Sequence, residues 1–83
     1  MEIIYTNYAE ETLIERKISK KEVEDTLLNP SEIVDGKHDR KMAQKRFGNK
    51  LLRVIFEIHA NAYIVITTYY TKAERYMKNE DNF

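Results

Sequence analysis

The sequence predicts an α+β domain in which two N-terminal helices pack on a twisted antiparallel sheet of about four strands, with a short C-terminal helix. Three observations carry that expectation. Ser19-Lys20-Lys21-Glu22 fits a capping box and opens a helical pattern that Asn29-Pro30 closes. Beyond residue 40 the pattern changes to short β-branched and aromatic runs, parted by Gly48-Asn49 and His59-Ala60-Asn61. At 83 residues, with two glycines and one proline, the chain has material for one core and one domain, 1–83.

Ile3-Ile4-Tyr5 reads as a short strand. Thr6 and Asn7 both suit a helix N-cap. A first helix then runs to about Arg16, with Tyr8, Ala9, Leu13 and Ile14 near helical spacing and Arg16 and Lys17 in the last turn, where cations suit the dipole. The second helix carries Val23, Leu27 and Leu28. Glu32-Ile33-Val34 forms a short strand closed by Asp35-Gly36, a hairpin-type pair. Residues 40–47 make a strand near a sheet edge, 51–58 the clearest strand in the chain, and 63–70 its return. Thr71 caps a final helix through Tyr76. Alternation in 51–58 puts Leu52, Val54, Phe56 and Ile58 on one face and Leu51, Arg53, Ile55 and Glu57 on the other. The first set is expected to be buried with Leu13, Val23 and Leu27. The second faces solvent, a tail or a partner.

The formal net charge is zero, but it is unevenly spread. Residues 1–36 hold nine acids and four bases. Residues 37–53 hold seven bases (Lys37, Arg40, Lys41, Lys45, Arg46, Lys50, Arg53) and one acid, Asp39. A concentrated basic strip draws in anions even on a neutral protein. The competing reading is a solvated hairpin whose lysines answer the acidic helices and discourage edge pairing. The absence of cysteine rules out disulfide staples and thiolate metal sites and points to a reducing compartment. No apolar run approaches the ~20 residues of a membrane span, and Met1-Glu2 does not begin a signal-peptide pattern. A cytoplasmic protein without a membrane segment is expected.

Most catalytic chemistries find no foothold. His38 and His59 both adjoin turns and lack a second histidine at metal-pair spacing. Ser19 and Ser31 read as a cap and a turn residue, and Gly36 and Gly48 cannot make a phosphate loop. No metal or other cofactor is expected. RNA cleavage through the 2′-hydroxyl asks for less: a proton acceptor, a cation at the phosphate and a surface to hold a base. The catalytic candidates are Arg53, Lys45 and Tyr69. The RNA-binding candidates are Arg16, Arg40, Lys41, Arg46, Tyr70, Arg75 and Tyr76. Each has a structural alternative. Tyr69 and Tyr70 are expected to point to opposite faces at a strand end. Arg16 suits a helix-end charge paired to an acid, and Arg53 a surface pair with Glu57.

Tyr8-Ala9-Glu10-Glu11-Thr12, Glu15-Arg16-Lys17-Ile18-Ser19, Asn29-Pro30, Leu51-Leu52-Arg53-Val54 and Val65-Ile66-Thr67-Thr68-Tyr69 follow one another in an order and spacing that resemble the family called domain of unknown function 4258. That family has a "HAxxRxxxRxI" helix, a helix ending in an Asn-Pro-like step, a basic hairpin and a "VITxY" strand. Tyr8 stands where the family often has His, and Thr12 where it often has Arg; Arg16 matches the second Arg. If the family's polar cluster is catalytic, this chain has lost part of it. The layout is also similar to the RelE/ParE toxin superfamily, whose members include ribonucleases acting on the ribosome and inhibitors of protein targets. The resemblance implies a toxin-like module that binds RNA, a ribosome or a protein through its basic hairpin. An acidic antitoxin-like protein is an expected partner, and RNA cleavage is an unfavoured extension. The alternative is a non-catalytic interaction module, a homodimer through the mixed face of the sheet, which a flat apolar patch around Leu51, Ile55 and Val65 would favour.

Overall fold

The computed structural model describes residues 1–73. In chain order the elements are β1 (Glu2–Tyr5), α1 (Asn7–Arg16), α2 (Lys20–Leu28), β2 (Glu32–Asp35), β3 (Lys41–Phe47), β4 (Lys50–His59) and β5 (Ala62–Lys72). Thr71 lies within β5, so it caps no helix. The remainder of the helix expected up to Tyr76 lies outside the described residues.

Local chemistry sets both helices. Thr6 is the N-cap of α1, its hydroxyl accepting the Ala9 N–H at 3.0 Å. The helix stops at Lys17, in the left-handed region at φ 55°, and the following Ile18 N–H closes back on the Leu13 carbonyl at 2.9 Å. Ser19 then opens α2 with a full capping box: its hydroxyl accepts the Glu22 N–H, and the Glu22 carboxylate accepts the Ser19 N–H. The buried stripes are narrow. Ala9, Thr12 and Leu13 face inward from α1, and Val23, Thr26 and Leu27 from α2, whereas Tyr8, Ile14 and Leu28 are exposed. Thr12 is tolerated inside because its hydroxyl donates to the Ala9 carbonyl.

The sheet has five strands in the order β1-β5-β4-β3-β2 and is mixed rather than purely antiparallel. β1 runs parallel to β5, and every other pair is antiparallel. A three-residue apolar run, Ile3-Ile4-Tyr5, carries no local signal for the direction of its pairing, which is why the sequence alone does not reveal the parallel edge. β1 and β2 form the two edges, so β3, expected near an edge, is flanked on both sides. The β3–β4 turn has Gly48 at φ 66°, and the two-residue β4–β5 turn holds both Ala60 and Asn61 at positive φ. In the β2–β3 loop the left-handed residues are His38 and Asp39, not the Asp35-Gly36 pair.

Parity sorts β4 as expected over most of its length. Leu52, Val54 and Phe56 enter the core with Ala9, Leu13, Ile18, Val23, Leu27, Ala43 and Val65. Phe56 meets Tyr63 edge-on at 5.4 Å. Ile58, on the same parity, is 45 % exposed. It stands next to the β4–β5 turn, against the Asp35–Lys41 side of the molecule, and takes no part in the core. The opposite face is not open either: Met42, Gln44, Leu51 and Arg53 are all buried.

Between Ile55 and Phe56 the register of β4 against β5 shifts by one, leaving Ile66 as an extra residue. Counting from the turn alone would set Lys50 opposite Thr71. The bulge sets it opposite Lys72 instead. It also exchanges the faces of β5, so that Tyr70 joins the helix side with Leu52 while Tyr69 pairs with Arg53 on the other.

Candidate functional site

The basic strip does not form one surface. Its cations divide between two faces and two ends of the sheet, and among the described residues three of the seven, Arg40, Lys41 and Lys45, are answered by acids. At the β2–β3 loop, Arg40 donates to the Glu57 carboxylate at 3.2 Å and Lys41 to Asp35 at 2.6 Å. Glu57 also meets His59 at 2.7 Å, and the hydrogen bond from His59, followed by that from Arg40, holds its carboxyl below the ordinary range. On the helix face, Lys45 donates to Asp25 of α2 at 2.8 Å and lies 5.9 Å from the Phe47 ring. That bond is the main reason the Asp25 carboxyl is lowered.

The catalytic candidates do not converge. Lys45 projects toward α2, whereas Arg53 and Tyr69 lie on the other face of the sheet. Arg53 is 5 % exposed, donates to the Tyr69 hydroxyl at 3.2 Å and stacks toward its ring at 5.8 Å. Among the described residues Glu57 pairs with Arg40 and His59 rather than with Arg53. Of the RNA-binding candidates, Arg16 donates to the Thr68 carbonyl, tying the end of α1 to β5 instead of pairing with an acid. Tyr70 donates to the Glu22 carboxylate. Burial, then that bond, pushes the Tyr70 phenol up to about 12, and the same bond is the largest cause of Glu22 lying below its usual value. Arg75 and Tyr76 lie outside the described residues. The patch weighed for a dimer is not assembled: Leu51 and Val65 are both fully buried, on opposite sides of the sheet.

Among the described residues one group of cations stays unanswered by acids. At the end of the sheet where the β3–β4 turn meets the end of β5, Arg46, Asn49, Lys50, Lys72 and Ala73 line a concavity of about 370 Å³. Among the described residues no carboxylate belongs to it. Three other concavities each include at least two: Asp35 and Glu57; Asp35 and Asp39; and Glu22, Glu24 and Asp25. Lys50 and Lys72 are direct cross-strand partners. Like charges so placed repel, because facing side chains begin ~5 Å apart. Lys50 extends over the Tyr70 ring at 5.7 Å. The Arg46 Nε–H donates to the Gly48 carbonyl at 2.7 Å, leaving its terminal amino groups for another acceptor. The Ala73 N–H reaches the Asn49 carbonyl at 3.3 Å and binds turn to strand.

Arg46 was legible as a candidate from the sequence, but Lys72 was not. Its only signal is its distance from the β4–β5 turn, and the bulge at Ile66 shifts that count by one. Among the described residues no group of three or more His, Asp or Glu side chains is arranged to hold a metal ion, and no helix is long and apolar enough to cross a membrane.

These features define a small α+β domain with two helices on one face of a mixed five-stranded sheet and a cationic concavity at one end of that sheet. Residues 5–70 match the family described as Domain of unknown function (DUF4258), and the chain belongs to that family. No curated protein and no solved structure matches it.

Proposed function

We propose that this chain is a nucleic-acid-binding module, toxin-like in layout, that takes single-stranded RNA at the cationic end of its sheet. The observation that carries the reading is the group formed by Arg46, Lys50 and Lys72. Two lysines are held face to face, and Arg46, from the opposite face of the sheet, borders the same concavity at the sheet's end, with no acid in the lining among the described residues. Such a cluster costs stability in the free protein, and a bound polyanion offsets that cost. Tyr70, beneath Lys50, adds an aromatic surface beside the phosphate position. The relation to the RelE/ParE toxins belongs to this proposal and rests on element order, which speaks to fold and not to chemistry. Cleavage is not part of the reading, because Lys45 stands on the far side of the sheet from Arg53 and Tyr69.

Titration of a labelled single-stranded RNA at two ionic strengths tests it. Each phosphate contact releases a counterion, so affinity is expected to fall as salt rises. Absence of binding even at low salt overturns the RNA reading and leaves a protein partner in its place.

A further inference from the structure

We infer that the concavity between the β3–β4 turn and the end of β5 is a receptor for a terminal phosphate monoester, so that the chain grips RNA by a phosphorylated end rather than along its length. This rests on the nucleic-acid reading above.

A groove that tracks a strand needs a run of unanswered cations, one for each successive phosphate. Here the run is broken: Arg40, Lys41 and Lys45 are each neutralised by a carboxylate, and among the described residues Arg46, Lys50 and Lys72 gather at one end of the sheet in a concavity whose lining holds no acid. Size agrees with that. A concavity of about 370 Å³ lies at the small end of the roughly 300–1,000 Å³ range of ligand sites, enough for one nucleotide-sized group. Charge agrees as well. A terminal phosphate carries about −1.5 to −2 near pH 7, its second pKa lying near 6, whereas an internal phosphodiester carries a single charge. Three cations in one concavity gain most from the dianion, and the opposed lysine pair is relieved most by it. The backbone is braced for the task. Asn49 is joined to Ala73, and the Arg46 Nε–H is held by the Gly48 carbonyl, which leaves its two terminal amino groups for phosphate oxygens.

Three labelled probes settle the matter when titrated against the intact protein: an RNA oligonucleotide with a 5′-phosphate, the same oligonucleotide with a 5′-hydroxyl, and adenosine monophosphate alone. The 5′-phosphorylated RNA is expected to bind about tenfold tighter than the hydroxyl form, the effect of one well-made charge-assisted contact. That preference should fade as pH is lowered through about 6 and the phosphate gains a proton. Equal affinity of the two RNAs overturns end recognition while leaving RNA binding in place. Binding of neither RNA overturns the underlying reading. Adenosine monophosphate binding as tightly as the phosphorylated RNA keeps the phosphate site and removes the nucleic acid. A Lys50→Gln/Lys72→Gln double variant should lose the preference yet melt no lower than the wild type, since it relieves the lysine repulsion. Loss of preference together with a lower melting temperature points to a merely structural role and counts against the site.

Discussion

Replacing Phe56 by leucine removes the ring that meets Tyr63 edge-on at 5.4 Å, from a position that is 1 % exposed. The aromatic pair contributes about 0.5–1.5 kcal/mol beyond its area. Leucine has three fewer side-chain carbons, but the lost volume is nearer one or two methylenes, which add about 0.8 kcal/mol each. A loss of about 1.5–3 kcal/mol follows, and Phe56→Ala should lose about 3–5 kcal/mol. A domain of this length has roughly 4–12 kcal/mol in total, so the leucine variant stays folded while the alanine variant loses much of its margin. Ile58→Ala is the control. Parity alone places Ile58 with Phe56, but it is 45 % exposed, and its truncation should cost less than about 1 kcal/mol. The chain has no tryptophan, so urea unfolding is followed by far-ultraviolet circular dichroism. Equal losses at Phe56 and Ile58, or a Phe56→Ala variant within about 1 kcal/mol of wild type, contradict the core described above.

Three further predictions concern the polar groups. Glu22 is held below its unfolded pKa by Tyr70 and the Ser19 cap. It therefore favours the folded state above the unfolded carboxylate pKa, and this contribution drains away as pH falls through the folded value. Acid unfolding of Glu22→Gln should accordingly be less steep than that of wild type, and identical acid profiles count against the Tyr70–Glu22 bond. Lys45→Met removes a cation on the helix face that is already committed to Asp25; RNA affinity should stay within about twofold of wild type, and a large loss would mean that the RNA runs along α2 rather than being held at the end of the sheet. Arg53→Lys keeps the charge but loses the fork at a buried position bonded to Tyr69. Its melting curve should report a loss of about 1–3 kcal/mol. An unchanged melting temperature contradicts a structural role and revives a surface one.

Features written in local chemistry were legible in the sequence. The Ser19–Glu22 capping box, the Asn29-Pro30 stop, the Gly48-Asn49 turn and the alternation through Leu52, Val54 and Phe56 each follow from residues within a few positions of one another. What depended on distant pairing was not legible. The parallel docking of β1 on β5 is settled by where the two helices deliver the chain, which no residue of Ile3-Ile4-Tyr5 encodes. The fate of the basic strip depended on which acids folding brought within reach: Asp25 for Lys45, Glu57 for Arg40, Asp35 for Lys41. Lys72 entered the site through one bulged residue, Ile66, whose shift a count of alternating residues passes over.

The salt dependence of RNA binding, compared between wild type and the Lys50→Gln/Lys72→Gln variant, bears most directly on where the nucleic acid sits. For single strands the slope of log affinity against log salt is about −0.7 per phosphate neutralised. If both lysines contact phosphate, the variant's slope should be shallower by about 1.4, with weaker binding at low salt. An unchanged slope and affinity would mean that Lys50 and Lys72 do not touch the RNA, and the cationic end of the sheet would not be its site.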